Sequence, residues 1–502
     1  MRNVLLIAGI VGCLIWPLGV FPAVADDTRP PNIVLIFMDD MGYGDVNPVT
    51  TTPYKTPNLD QLALRGRVFE QFVVPSAVCS ASRASLLTGC LNRRVSVSGA
   101  YGPKSDRGLN PDETTLAEVC RSAGYATACF GKWHLGHHPK FLPTNQGFDH
   151  FYGIPYSNDM WPLHPAAVAK RRSDPDAESL YPSLPMIRST PGNVAIVNDD
   201  VSPDDQRQMT GELTRRGVRF IQDNVDRPFF LYLPYPMVHV PLYASAEFDG
   251  KSGLGLFADV MLEIDHSVGQ IVGAIDGANL AEQTLIIFTS DNGPWLSYGT
   301  HAGSAGPLRE GKGTMFEGGV REPTIMRWTG RIPPATRTRT LCSSIDLLPT
   351  IARWIGAELP DRKIDGLDIA PVVLNEPVPP ELADRVLPGY FAGGQLQTIR
   401  DQQFKLVFDH RYRTLAGKPG GDFGRPVAYR HRQSGRCLYD LASDPAESNN
   451  VIQSHPDVAE RLSAAADRYR SELGDKLRGV VGNQVRPSGA MQPGDERLPL
   501  VW

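Results

Sequence analysis

Four short runs of unbroken apolar residues, each tied to a helical pattern, restrict this chain more than any other feature. They are Asn32-Ile33-Val34-Leu35-Ile36-Phe37, the segment from Tyr125 to Phe130, Pro228-Phe229-Phe230-Leu231-Tyr232-Leu233 and Thr284-Leu285-Ile286-Ile287-Phe288-Thr289. A strand with one wet face alternates polar and apolar residues. An unbroken run needs both faces covered, as in a parallel sheet packed between helices. Helical patterns occupy the intervals. One opens at Thr56-Pro57-Asn58 and runs through Leu59, Leu62 and Leu64 to Gly66, with proline at the start and glycine at the end. Others span Leu116 to Ser122, Asp205 to Val225 and Ser344 to Ile355, and Leu256, Val260, Ile264, Val268, Ile271 and Ile275 mark one face of a long amphipathic helix. The alternation predicts a doubly wound α/β domain, in which ligands bind outside the carboxyl ends of the strands.

The conspicuous polar residues fall at those ends. Asp39-Asp40, Lys132 with His134, His239 and Asp291-Asn292 each follow a predicted strand. Asp39, Asp40, Asp291 and Asn292 are hard oxygen donors that suit Ca²⁺ or Mg²⁺; either pair alone reads equally well as turn-forming acids. Lys132 and His134, two apart, would point the same way in an extended segment, and Gly131 would let the backbone approach a ligand. Alone, such a pair is a solvated lysine and a loop-capping histidine. His239 lies among prolines that would hold its loop, and Lys312 sits between glycines in what also reads as a surface turn. In Val78-Cys79-Ser80-Ala81-Ser82-Arg83 a helix beginning just after Cys79 would set that residue where free N–H groups and the dipole favour an anion. Arg83 would lie one turn on, over the same face.

The 502 residues allow one large domain and a smaller one, and a formal charge of −5 gives no electrostatic case for nucleic-acid binding. Arg2, the apolar run from Val4 to Val20 and Ala23-Val24-Ala25 read as a signal peptide over 1–25, so export is expected, to a periplasm, the exterior or a lysosome. Lipidation at Cys13 and an uncleaved anchor are the competing readings, and no later stretch is long and apolar enough to span a membrane. Apart from Cys13 and Cys79 the cysteines are Cys90, Cys120, Cys129, Cys342 and Cys437, an odd set whose pairing the sequence leaves open. A catalytic domain is expected over 26–375. Asn375 to Glu381 reads as a linker, followed over 382–480 by an α+β subdomain. Its short strands include Gln397–Arg400 and Phe404–Phe408, with a helix from about Pro456 to Leu473. An extended tail over 481–502 ends the chain. From Met160 to about Asp205 no regular pattern persists, which predicts a long lid or binding loop.

Cys79-Ser80-Ala81-Ser82-Arg83 resembles the maturation signature of the formylglycine-dependent sulfatases, with Ala81 where proline is commoner. Pro31 through Asp45, Gly124-Tyr125 through Gly131-Lys132-Trp133-His134-Leu135-Gly136, Gln146-Gly147-Phe148-Asp149, Ser290-Asp291-Asn292-Gly293, Lys312 through Arg321 and Leu438-Tyr439-Asp440-Leu441 continue the resemblance in family order. Gly153-Ile154-Pro155-Tyr156-Ser157 is similar to the arylsulfatase A and N-acetylgalactosamine-6-sulfatase branch. The resemblance implies an alkaline-phosphatase-like fold, a large mixed and mostly parallel sheet flanked by helices, with a smaller C-terminal antiparallel sheet. It implies calcium, with magnesium the weaker candidate, on Asp39, Asp40, Asp291, Asn292 and the modified Cys79. Cys79 as formylglycine would be the nucleophile, Arg83 its support, and His239 and His134 the proton carriers. Lys132, Lys312 and Ser157 would bind sulfate.

The expected activity is hydrolysis of sulfate monoesters, on a small molecule or a saccharide, after a maturation enzyme has acted on Cys79. The alternatives are a phosphate or phosphonate monoester hydrolase of the same superfamily, and a non-catalytic sulfated-glycan-binding protein in which Cys79 stays unconverted. Specificity is expected from the Met160–Asp205 segment, the surroundings of Ser297–Arg309 and the C-terminal module.

Overall fold

The computed structural model describes residues 29–174 and 179–502; the signal-peptide reading and Cys13 lie outside the described residues. A sheet of ten strands organises the chain. In chain order they are β1 (Asn32–Met38), β2 (Arg67–Phe69), β3 (Ala126–Lys132), β4 (His150–Ile154), β5 (Met186–Thr190), β6 (Asn193–Asn198), β7 (Phe229–Pro234), β8 (Thr284–Ser290), β9 (Thr324–Arg327) and β10 (Thr336–Thr338). Their order across the sheet is β10-β2-β9-β8-β1-β7-β3-β4-β5-β6. The central strands β8, β1, β7, β3 and β4 are parallel, and the antiparallel pairings lie toward the two edges.

The unbroken apolar runs are explained by what covers each face. Along β1, Val34, Ile36 and Met38 enter one core while Ile33, Leu35 and Phe37 enter the other, all fully buried. On the first face lie the helices Pro57–Leu64, Pro203–Asp223 and Leu256–Gly277, through Leu59, Leu213 and Ile264 among others. On the second lie Cys79–Thr88, Leu116–Ser122 and Leu347–Ile355, through Leu86, Leu116 and Ile351. Period-two alternation therefore feeds two dry cores instead of one core and solvent.

The expected structureless loop between Met160 and Asp205 is corrected here. It contains the helix Pro165–Ser173 and the hairpin β5–β6, which extends the sheet at one edge. The signal was local: Met186-Ile187 and Val194 to Val197 flank Thr190-Pro191-Gly192-Asn193, and Gly192 turns the chain at φ +75°. Polar residues on the outer strand hid it, because an edge strand need not be apolar on both faces.

A second, antiparallel sheet follows: β11 (Leu387–Phe391), β12 (Gln395–Arg400), β13 (Phe404–Val407) and β14 (Cys437–Asp440), paired in that order. Helix Pro456–Leu473 covers it, its Leu462, Ala466 and Leu473 packing with Leu396, Ile399 and Leu406. A hairpin of Arg411–Thr414 and Arg430–Gln433 stands beside it. This module meets the larger part through a buried charge cluster. Glu317 takes Arg400 Nη1 at 2.9 Å and Lys405 Nζ at 3.0 Å, while Arg321 Nε lies 2.5 Å from its Oε2. The tail returns across the large domain: Gly489–Ala490 pairs with Arg107–Gly108, and Arg486 Nη2 reaches Glu113 Oε2 at 2.7 Å. The cysteines among the described residues, Cys79, Cys90, Cys120, Cys129, Cys342 and Cys437, are all free thiols.

Candidate active site

The parallel strands deliver the site. β1 ends at Met38 and hands the chain to Asp39 and Asp40; β8 ends at Ser290, before Asp291 and Asn292. Register pairs Met38 with Ser290, so the two acidic pairs emerge side by side. Asp291 Oδ1 accepts from Asp40 N at 3.2 Å, and Asn292 Nδ2 donates to Asp40 Oδ1 at 2.7 Å. β3 delivers Lys132, β4 leads to Ser157, and β7 leads to His239. The peptide bonds Met237–Val238 and Val240–Pro241 around that histidine are cis.

Glycine is required beneath Lys132. Gly131 has φ +143°, and a Cβ there would meet Pro234 O of the neighbouring β7 at 2.0 Å. Beyond it the backbone is not extended. His134 sits at φ +61°, so the two-apart argument for Lys132 and His134 fails, and the turn sets their relation instead. Asp40, at φ +60°, is likewise left-handed. Non-glycine residues in that region recur where a site holds them there.

Helix Cys79–Thr88 begins at Cys79 itself, one residue earlier than expected, capped by the extended Val78. The helix is buried throughout. Arg83, with no exposed surface, points Nε and Nη2 at Asp291 Oδ2 (3.0 and 2.8 Å) and Nη1 at Lys132 O (2.9 Å), and Nη2 lies 3.8 Å from Asp39 Oδ1. Lys132 Nζ bonds Asp39 Oδ2 at 2.5 Å and Ser157 Oγ at 3.1 Å. Lys312 Nζ bonds Asp40 Oδ1 at 2.6 Å and lies 3.4 Å from Cys79 Sγ. Three cations thus face three carboxylates, all of them buried.

Those charges set the protonation states. Burial alone would raise Asp39, but Lys132, His239, Arg83 and Lys312 together hold its carboxyl well below the usual range. Asp291 goes the other way, pushed up to about 7 by burial and by the neighbouring Asp39 charge. Burial pushes the Cys79 thiol up to about 12, against Lys132 and Lys312. A thiol so raised is a poor nucleophile as it stands. His134 is kept well below the ordinary imidazole value by burial and then by Lys132 and Arg83. Its Nε2 lies 3.0 Å from Tyr101 O, so that nitrogen carries the proton and Nδ1, buried without a partner, keeps its lone pair. His239 Nδ1 donates to Val240 O at 2.5 Å, and its Nε2 lies 3.6 Å from Asp40 Oδ2. Burial and Lys312 lower its pKa against Asp40, Asp39 and Asp159.

The donor chemistry fits a hard divalent cation. Asp39 Oδ1, Asp40 Oδ2 and Asn292 Oδ1 are buried oxygens without a hydrogen-bond partner, which is costly unless something else satisfies them. Potential ligand atoms of Asp39, Asp40, Cys79 and His239 lie within 4.8 Å of one another. His239 was not among the metal candidates read from the sequence. Asp291, which was, spends Oδ2 on Arg83 and Oδ1 on the Asp40 amide.

Above these groups opens a cavity of about 200 Å³, lined by Cys79, His134, Ser157, His239 and Lys312 and also by Asp159, Trp295, Phe391 and Arg413. The last four were not singled out from the sequence. Trp295 follows Asn292 by three residues and was findable there; Phe391 and Arg413 come from the C-terminal module, far away in sequence. Clefts of about 290 and 400 Å³ beside Tyr152, Arg188 and Arg216 are larger but hold no comparable constellation.

The family model described as Sulfatase matches residues 31–357. Arylsulfatase A of Bos taurus is 38% identical over 456 residues, covering 86% of this chain and 85% of the relative. N-acetylgalactosamine-6-sulfatase of Canis lupus familiaris is 37% identical over 477 residues, covering 89% and 87%. Among solved structures, the PsFucS1 sulfatase from Pseudoalteromonas sp. superposes with a TM-score of 0.78 at 26% identity, over 88% of this chain and 90% of that one. The large mixed sheet with its smaller antiparallel companion is the alkaline-phosphatase-like architecture expected from the sequence.

Proposed function

The chain belongs to the sulfatase family and is a sulfuric ester hydrolase, and on that premise we propose that it cleaves sulfate monoesters of carbohydrates with residue 79, as formylglycine, for nucleophile and with calcium in the site. The observation that carries the reading is the meeting of Cys79 Sγ and Lys312 Nζ at 3.4 Å beside the unpartnered oxygens of Asp39, Asp40 and Asn292. Converted to formylglycine by a maturation enzyme, residue 79 supplies a hydrated aldehyde, one hydroxyl to attack sulfur and a second whose deprotonation expels sulfate. Asp39, Asp40 and Asn292 would hold calcium through their unpartnered oxygens, and Asp291 would join them on giving up one of its present bonds; the ion would supply positive charge to the sulfuryl oxygens.

The chain's own residues do the rest. With Asp159 and Arg413 of the same cavity counted in, four cations face four carboxylates, so a divalent cation would leave the site net positive, suited to an anionic ester. Arg83 braces Asp291 and keeps Lys132 O in place. Lys132, Lys312 and Ser157 bind the sulfate oxygens and spread the charge that grows on them. His134 offers its bare Nδ1 as the base for the release step. His239, whose Nδ1 proton is committed to Val240 O, passes a proton from Nε2 to the departing alcohol, so that no free alkoxide forms. A bound anionic ester raises the pKa of His239 and favours the charged form this role needs.

The relative named N-acetylgalactosamine-6-sulfatase supports a sulfated sugar as substrate. Export to a periplasm or the exterior rests on residues 1–25; among the described residues no helix is long and apolar enough to cross a membrane. The test has three arms. The mass of the Cys79 peptide reports conversion as a loss relative to cysteine. Cys79→Ala is expected to fold and to lose turnover, and its near-normal hydrolysis would remove the nucleophile assignment. Sulfate and phosphate esters of one phenol, assayed in parallel with and without chelator, separate a sulfatase from a phosphatase and test the calcium.

A further inference from the structure

The proposed reaction leaves one charged residue of the cavity, Arg413, unexplained. It belongs to the hairpin strand Arg411–Thr414 of the C-terminal module, yet it lines the same cavity as Cys79 and His239. It is a built feature and not a loose surface arginine. Its Nε donates to Lys312 O at 2.9 Å and Nη2 donates to the same oxygen. Its guanidinium lies over the Tyr429 ring at 4.7 Å and the Trp295 ring at 5.9 Å. Gly313 leaves the space it occupies, since a Cβ there would meet Arg413 Nη2 at 2.4 Å. So held, the guanidinium enters no ion pair among the described residues, and Asp40, the carboxylate that favours its charge, is already bonded to Lys312. The same cavity is lined by Trp295, with its ring 5.6 Å from that of His239, by Phe391, and by Asp159, whose Oδ1 is buried and unpartnered.

Resting on the sulfatase reading, we propose that Arg413 is a specificity residue that binds a second anionic group, a carboxylate or a further sulfate, on the alcohol half of the substrate. A planar fork fixed at one edge leaves its remaining N–H groups for an oxyanion. Trp295 offers a ring face to the sugar or aryl ring between the two anionic groups. Asp159 repels an anion and accepts a hydroxyl, so the second charge is taken in one orientation. The substrate class is therefore a doubly anionic saccharide, sulfated at the cleaved position and charged again elsewhere.

The test uses 3- and 4-carboxyphenyl sulfate against the matching carbamoylphenyl sulfates, isosteric but uncharged on the ring. The wild-type protein and Arg413→Gln are compared, and the ratio of kcat/KM for acid over amide cancels the intrinsic leaving-group difference. For at least one isomer the ratio is expected to fall about tenfold or more in Arg413→Gln, mainly through KM. A fall in kcat on the amides reports movement of Lys312, whose carbonyl Arg413 holds, and the acid-to-amide ratio divides it out. Arg413→Lys should recover part of the ratio. An unchanged ratio for both isomers, or an equal loss on acids and amides, overturns the assignment. Calorimetric binding of the same four esters to Cys79→Ala and to Cys79→Ala with Arg413→Gln needs no turnover. Loss of the acid preference in the double variant supports Arg413 even if hydrolysis fails, and an equal affinity for acid and amide in both overturns it. Failure of hydrolysis itself counts against the sulfatase reading alone.

Discussion

Replacing Arg83 by methionine keeps the length of the side chain and removes its charge, at a position with no exposed surface. The structure sets the size of the effect. Two charge-assisted bonds to Asp291 and one to Lys132 O vanish, and Asp291 and Asp39 are left facing each other with less compensation. Removing one partner of a buried ion pair costs about 3–5 kcal/mol, a large part of a domain's stability of roughly 5–15 kcal/mol. The loss should depend on calcium. A cation that binds only the folded state adds about 2.7 kcal/mol at a hundred times its Kd. The variant gives that cation a more negative cage, because Asp291 Oδ2 is released. Guanidinium chloride unfolding of wild type and Arg83→Met, each in saturating calcium and in chelator, reads both effects. The expected result is a deficit of about 3–5 kcal/mol in chelator and a clearly smaller one in calcium. A deficit under about 1 kcal/mol, or one equal in the two conditions, would refute the argument that Arg83 and a divalent cation neutralise the same carboxylates.

Glu317→Ala strands Arg321 and Arg400 without their shared carboxylate and leaves Lys405 with Glu447 Oε1 alone, at 2.9 Å. It should cost about 3–5 kcal/mol and open the C-terminal sheet to limited proteolysis, and wild-type resistance would argue against the cluster as the joint between the two sheets. Gly131→Ala forces a Cβ against Pro234 O at a left-handed φ. About 3 kcal/mol of stability should be lost, with activity falling further because Lys132 is displaced, and a thermally unchanged variant would contradict the close strand packing. His137 is buried against His138 and Tyr156, and burial followed by the His138 charge lowers its pKa from 6.5 to about 3. The unfolded chain then binds the proton first, so this stabilisation is complete above pH 6.5 and is lost as pH falls; by pH 5 the loss is about 2 kcal/mol. His137→Gln should flatten the decline in unfolding free energy between pH 7 and 5, and an identical slope would discount that histidine.

The sequence by itself determined the central sheet and the identity of the groups at its carboxyl edge. Unbroken runs such as Ile33 to Phe37 must be buried on both faces, and their ends must carry whatever polar residues come next, so Asp39, Asp40, Asp291 and Asn292 were legible as a set. Helix Leu116–Ser122 has the bounds expected of it and helix Pro456–Leu473 follows its approximate expectation; Thr115 caps the first, and Pro456 and Gly474 bound the second. Only the tertiary structure decided how the charges pair and what else reaches the cavity. Lys132 and His134 meet the site through a left-handed turn, which no periodicity encodes. The hairpin β5–β6 was missed because a sheet edge relaxes the demand for apolar residues. Phe391 and Arg413 were invisible because their role comes from packing one module on another, across hundreds of residues, and local sequence carries no record of such contacts.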